Sequence, residues 1–334
     1  MAEELAFRKG DVQLKTGLYR QAFDTCRMFL KKFPAGTRRT SVEKILVKSV
    51  VRQVDDQVSK KDHMAVAQIY FIPEKKILMT DGDFDLLSKI GNSLKKIGLN
   101  EQAVKIFKKI GERFPTNQKI HKIRLAEAQI NTRLGRDKEA REILKKLLLK
   151  PWGMSKETLQ SAGKLMGDIC FRAQRPKEAG NYYLKALNAG DASTDLADIR
   201  KKYADALKET GRYAEALANY QMVLKNGTGD SEKCRDAVIL GAYEGAGDCL
   251  YNSGSIRKAI SMYEKILSLK PPESDQQKFI LFKTGRGYAR LDNAAMAEKS
   301  FNRLKNDTDD EFWPAIVDHY LTHKNWVEKY DDYL

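Results

Sequence analysis

The strongest constraint on the fold of this 334-residue chain is an alternation of small and large side chains that recurs eight times along it. Alanines stand at positions Ala22, Ala65, Ala103, Ala140, Ala179, Ala216, Ala259 and Ala297. Four residues after each comes Cys26, Ile69, Phe107, Leu144, Tyr183, Tyr220, Tyr263 or Phe301, large in every case but the first. Three further on comes Phe29, Ile72, Ile110, Leu147, Ala186, Val223, Ile266 or Leu304. Steps of four and three return a side chain to the same face of an α-helix. Twelve residues before each alanine the chain is small again, at Gly10, Gly91, Ala128, Gly167, Ala204, Gly247 and Gly285, with Gln53 breaking the column. Seven residues after the small position a glycine recurs, as Gly17, Gly98, Gly135, Gly211 and Gly254. There it can adopt the left-handed conformation that ends one helix before the next begins. Pro34, Pro115, Pro151 and Pro271 follow the second helix of their repeats, where a helix must stop.

Two helices approach closely only where a small side chain faces a large one. Each repeat is therefore a hairpin of amphipathic helices with one apolar edge left open, and only the next repeat can cover it. The pattern predicts one stacked array over residues 1–334, with repeats near 3–34, 40–73, 83–115, 117–151, 157–189, 196–226, 234–271 and 276–305. The second repeat is the most aberrant. Its first helix, TSVEKILVKSVVRQVDDQV, is β-branched and lacks both the small residue and the glycine, and its second, KDHMAVAQIYFIPE, runs into Pro73. Residues 309–334 carry no hairpin signature and read as a cap in which Phe312, Trp313, Trp326 and Tyr330 cover the exposed end. The first repeat helix begins within a few residues of Met1 with no comparable cap, which points to an upstream part preceding this chain.

The pattern resembles the tetratricopeptide repeat, most closely in LLSKIGNSLKKIGLNEQAVKIFKKIGERFP, YADALKETGRYAEALANYQMVL and GDCLYNSGSIRKAISMYEKILSLKP. The resemblance implies an all-α fold, an α-solenoid wound as a right-handed superhelix of stacked helix-turn-helix repeats and closed by the C-terminal cap. It departs from the family in period. The small positions are 37 to 43 residues apart, against 34 for the family, so helices or connections must be longer.

Charge is distributed unevenly. The chain carries 60 Lys and Arg against 45 Asp and Glu, and the whole net charge of +15 lies in residues 1–150. That favours an anionic partner there. No apolar run is long enough for a spanning helix. Cys26, Cys170, Cys234 and Cys249 show no paired spacing and read as thiols in a reducing compartment. The chain as given thus suits the cytoplasm, and export would need the upstream part. His319 and His323 stand at i and i+4 without a third ligand, so no metal or other cofactor is expected. No nucleophile elbow, zinc-binding helix or phosphate loop is present, and the glycine cluster Gly241–Gly247 falls inside a repeat helix as a packing element. No catalytic residue can be named.

In the family resembled, ligands lie in a concave groove lined by the first helix of each repeat. Carried over position by position, that lining is apolar in the second repeat, with Val47, Val50, Val54 and Val58 as packing residues. Repeats three to five make it basic through Lys95, Lys96, Lys122, Arg133, Lys164 and Arg172, with Asn92, Gln129 and Phe171 among them. The resemblance implies a non-enzymatic scaffold that holds a peptide or helix of another protein, one that is acidic or carries a free carboxylate. The alternative is an anionic polymer, an acidic polysaccharide or nucleic acid, held by the basic N-terminal part. Against it, only Phe171 supplies a stacking ring among those cations.

Overall fold

The computed structural model describes residues 1–190, 196–226, 232–269, 275–306 and 312–331, without the side chains of 226, 232–236, 275–276, 306 and 324–331. Among the described residues the regular structure is entirely helical. The chain divides into two compact halves, residues 1–162 and 163–334. The first holds α1 (Ala2–Lys15), α2 (Tyr19–Lys32), α3 (Arg39–Ser59), α4 (His63–Ile69), α5 (Lys75–Asp81), α6 (Phe84–Lys96), α7 (Asn100–Arg113), α8 (Ile120–Arg133), α9 (Asp137–Leu149) and the start of α10 (Lys156–Arg172). The second continues with α11 (Pro176–Ala189), α12 (Ala197–Glu209), α13 (Tyr213–Asn226), α14 (Glu232–Asn252), α15 (Ile256–Leu269), α16 (Asp275–Arg290), α17 (Ala294–Asn306) and α18 (Phe312–Asp331). In each half helices pack mainly on their neighbours in sequence, as α6 on α7 and α7 on α8, or α14 on α15 and α15 on α16. First helices of adjacent repeats also touch, α1 with α3 and α12 with α14. This is the packing of an α-solenoid of helix hairpins.

The hairpins close around the small-to-large pairing. A methyl group added to Gly91 would sit 2.6 Å from the Phe107 ring. At Gly167 and Gly285 it would sit 2.5 Å from Tyr183 and Phe301, and at Gly247 it would strike Tyr263. Each ring lies sixteen residues beyond its glycine and is fully or almost fully buried. Burying a ring of this size contributes about 2–3 kcal/mol, so one such contact in each hairpin is a large share of what holds it shut. In the first repeat the partner is the smaller Cys26, and the distance relaxes to 3.4 Å. The glycine cluster serves two repeats at once, since Gly245 faces Tyr220 of the preceding hairpin while Gly247 faces Tyr263 of its own. Seven of the eight column alanines are buried, all but Ala65.

Left-handed turns join the helices of each hairpin. Gly17, Gly98, Gly135, Gly211 and Gly254 have φ between 73° and 83°. Where the glycine is missing the turn persists: Gln174, Asp292 and Lys61 take φ of 57°, 56° and 59°. The hydrogen bonds explain why. The next residue's N–H reaches a carbonyl five residues back, as in Leu99 to Leu94 at 2.9 Å and Arg175 to Cys170 at 3.0 Å. This motif caps carbonyls that would otherwise be orphaned, and it outweighs the steric cost of a side chain at positive φ.

The second repeat departs from its expected column. Ala65 is only half-buried, and Val66, Ala67 and Tyr70 are the fully buried residues of α4 and its end, with Ile69 and Ile72 packed part-buried against the same core. The helix α4 stops after seven residues, and a further short helix, α5, follows Pro73 where the sequence pattern placed only a connection. Gln53, at the small position, is half-buried and donates its amide to the Tyr19 carbonyl at 3.3 Å. Val50 and Val54 are core. The C-terminal segment is a single helix, α18, that buries Trp313 and Val317 and brings Tyr320 within 5.6–5.7 Å of the Phe282 and Phe301 rings. Phe312 is 60% exposed and lies edge-on against the Trp313 ring at 5.3 Å, while the side chains of Trp326 and Tyr330 lie outside the described residues. Cys26, Cys170 and Cys249 are buried and form no disulfide; burial pushes the Cys26 thiol up to about 12 and that of Cys249 to about 11. The Cys234 side chain is outside the described set.

Two stability measurements test this packing. Gly91→Ala should lower the urea midpoint by the equivalent of about 1–2 kcal/mol, overpacking against Phe107 exceeding the gain in helix propensity. Gly10→Ala meets only an ordinary contact and should be neutral or stabilise by up to about 1 kcal/mol. Separately, Gln174→Gly should raise the midpoint by about 0.5–1 kcal/mol, because a side chain at positive φ costs more than glycine's added chain entropy.

Candidate functional site

The residue that follows each small position lies on the first helix of its repeat, beside the ring that packs there. In repeats five to seven it is Asp168, Asp205 or Asp248. Each accepts a hydrogen bond from the tyrosine hydroxyl fifteen residues on: Tyr183 to Asp168 at 2.8 Å, Tyr220 to Asp205 at 2.6 Å, Tyr263 to Asp248 at 2.9 Å. A buried phenol needs such an acceptor. Burial, reinforced by the facing carboxylates, pushes all three phenols far above their ordinary range. Lysines complete the network. Lys202 reaches Asp168 at 2.8 Å, Lys201 reaches Asp205 at 2.8 Å, and Asp248 receives Lys283 at 2.8 Å and Lys208 at 3.1 Å. Burial alone would raise the Asp248 pKa, but Lys283, Lys208 and the Tyr263 hydroxyl outweigh it and hold the carboxyl below the usual range. The Lys208 ammonium is correspondingly held above its own, burial being outweighed by Asp248. Asp248, Tyr263, Lys208 and Lys283 border a cleft of about 390 Å³ that also holds Tyr251, Phe279 and Arg286. The sequence signal for these pairs is an Asp fifteen residues before each column tyrosine, a spacing that helix periodicity alone does not single out.

The N-terminal half differs at the same position. Repeats three and four carry the neutral amides Asn92 and Gln129, opposite Phe107 and Leu144, which have no hydroxyl. Lys95 is half-buried and donates to Gln129 Oε1 at 2.9 Å. Burial, then the charge of Arg133, lowers its pKa. Arg133, Lys122 and Asn92 are exposed, and among the described residues no carboxylate pairs with Lys95, Lys122 or Arg133. On α8, Lys122, Gln129 and Arg133 follow steps of seven and four, which keep them on one face. Lys96 is drawn elsewhere, its Nζ 3.0 Å from His63 Nε2.

The remaining sequence-derived residues lie in the C-terminal half. Lys164 is ion-paired with Asp198 at 2.5 Å. Phe171 and Arg172 border a second cleft with Asp168, Asp198, Lys201 and Asp205, where acids balance the cations. Among the described residues no cluster of His, Cys, Asp or Glu could hold a metal ion, and no helix is long and apolar enough to cross a membrane.

The buried network around Asp248 sets a pH dependence. Its folded pKa is depressed, so its contribution is present above the unfolded carboxylate pKa and fades as pH falls through the folded value. Asp248→Asn should lower stability by about 2 kcal/mol at neutral pH. The difference from the parent should shrink progressively below about pH 4 in thermal melts.

Two models of the tetratricopeptide repeat match the sequence, one over residues 85–117 and one over residues 240–273. They cover α6–α7 in one half and α14–α15 in the other. No curated protein matches the chain by sequence. Among solved structures, the C-terminal part of a tetratricopeptide repeat-containing protein from Cytophaga hutchinsonii superposes with a TM-score of 0.58 at 12% identity, covering 79% of this chain and 98% of that one. The protein BtubC from P. vanneervenii gives 0.50 at 16% identity, over 67% and 91% of the two chains. At these identities the likeness is one of fold. Repeat-model matches in both halves, lying on hairpins closed by the small-to-large column, support a tetratricopeptide repeat protein, and the solved neighbours share its fold.

Proposed function

We propose that the chain is a non-enzymatic scaffold whose third and fourth repeats hold an acidic segment, or the terminal carboxylate, of a protein partner. Tetratricopeptide repeat proteins generally mediate protein–protein interactions. The observation that carries the finer reading is the lack of a countercharge on Lys95. In repeats five to seven an aspartate after the small position accepts from lysine and tyrosine. In repeats three and four that position is an amide, and Lys95 faces Gln129 and Arg133 instead. A partly desolvated cation gains most from a carboxylate brought to it, because hydrogen bonds to charged groups contribute about 1.5–3 kcal/mol each. Lys95 and Arg133 would take the carboxylate, the Asn92 and Gln129 amides would orient the chain bearing it, and Lys122 would attract it over longer range. Lys96, Lys164, Phe171 and Arg172, which the sequence pattern placed in the same groove, are not needed for this contact.

A substitution that installs the countercharge tests the idea without unfolding the site. Gln129→Glu places a carboxylate against Lys95 and should leave the melting temperature unchanged or higher. It should also weaken a defined acidic peptide or protein partner at least tenfold in calorimetric titration, as should Lys95→Glu. Undiminished affinity in both variants would remove the proposal. Salt-sensitive binding of polyanions by the parent chain, with no protein partner, would favour the anionic-polymer reading instead.

A further inference from the structure

The connection between α9 and α10 presents a tryptophan to solvent in a way that packing does not explain. Trp152 is 87% exposed and Leu149, at the end of α9, is 78% exposed, whereas Trp313 is buried to 4%. Tryptophan is ordinarily well buried. The ring does not dangle from a loose loop. Pro151 stops α9, the Met154 N–H donates to the Pro151 carbonyl at 3.0 Å, and Gly153 has φ of 75°. That is a type II turn with Trp152 at its first corner, which presents the ring on a short, closed loop.

From the last turn of α9 to the first turn of α10 the charged residues are Lys146, Lys150, Lys156 and a single acid, Glu157. Lys146, Lys150 and Lys156 are all exposed and, among the described residues, none is ion-paired. Lys145, by contrast, is tied to Glu142 at 3.1 Å. They flank the turn within the span from the last turn of α9 to the first of α10, in the half of the chain that carries the whole net charge. A protein partner and a lipid surface would each cover an exposed tryptophan, but they differ in what they accept beside it. Protein interfaces are enriched in tryptophan and depleted in lysine. At the headgroup level of an anionic bilayer the two belong together, the ring at the interface and the ammonium groups among lipid phosphates and carboxylates. A tip with two projecting apolar side chains also suits shallow insertion better than a pocket-to-knob fit.

We propose that this turn is a peripheral docking site for an anionic membrane surface. Trp152 and Leu149 enter the interfacial layer, and Lys146, Lys150 and Lys156 bind lipid headgroups. The site is separate from the Lys95–Arg133 face on α6 and α8 and does not depend on it.

Co-sedimentation of the full chain with vesicles tests this, using equal parts phosphatidylglycerol and phosphatidylcholine against phosphatidylcholine alone. The chain should pellet with the anionic vesicles only, and its tryptophan emission should shift to the blue. Trp152→Ala should remove the shift and weaken binding at least tenfold, with an unchanged circular dichroism spectrum. Replacing the three lysines by glutamine should weaken it by on the order of a hundredfold, about fivefold for each charge. Three results would each overturn the proposal: no binding to anionic vesicles, equal binding by Trp152→Ala, or a protein partner that buries Trp152 in the absence of lipid.

Discussion

The contact on which everything else rests is a ring packed against a helix where a side chain is missing. Gly91 under Phe107, Gly167 under Tyr183, Gly247 under Tyr263 and Gly285 under Phe301 let two helices of one hairpin approach until the ring fills the gap. No hairpin can bury its second flank unaided, so the same approach that closes one repeat obliges the next to stack on it. The turns serve that contact: helix ends are capped in the same left-handed geometry whether glycine is present or, as at Gln174 and Asp292, absent.

Fixing the ring also fixes what stands beside it. The position after the small residue is held at the same place in every hairpin, and its chemistry decides the electrostatics of that repeat. With aspartate there and tyrosine as the ring, the phenol, the carboxylate and lysines from the same or an adjacent repeat form a closed network, and Asp248 is the most completely enclosed example. With an amide there and phenylalanine or leucine as the facing residue, nothing closes the network, and Lys95 is left half-buried beside another cation. The tyrosine–aspartate network is thus closed in repeats five to seven, whereas Lys95, Lys122 and Arg133 of repeats three and four have no carboxylate partner among the described residues. The excess positive charge of the sequence follows the same division.

The repeat pattern was legible because its spacing reflects helix geometry alone. Column alanines, ring positions and glycine turns could be placed without knowing any neighbour. The second repeat was not legible in the same way. Val66, Ala67 and Tyr70 are buried more deeply than Ala65, Ile69 and Ile72, and Gln53 is accommodated by a carbonyl from the preceding repeat, a contact no local pattern encodes. The basic lining shows the same limit. Lys95, Lys96 and Lys164 look alike in the sequence, yet one meets an amide, one a histidine and one an aspartate.

By itself the sequence determined the hairpin, its repetition and the side each helix buries, since those follow from periodicity, steric size and the conformational freedom of glycine. Only the tertiary structure decided which cations are already neutralised, which tyrosine finds which carboxylate, and that Trp152 is left outside while Trp313 is packed within. Ion pairs and hydrogen bonds depend on distances of a few ångströms between residues some fifteen to forty positions apart. Those distances exist only once the rings have set the spacing between helices.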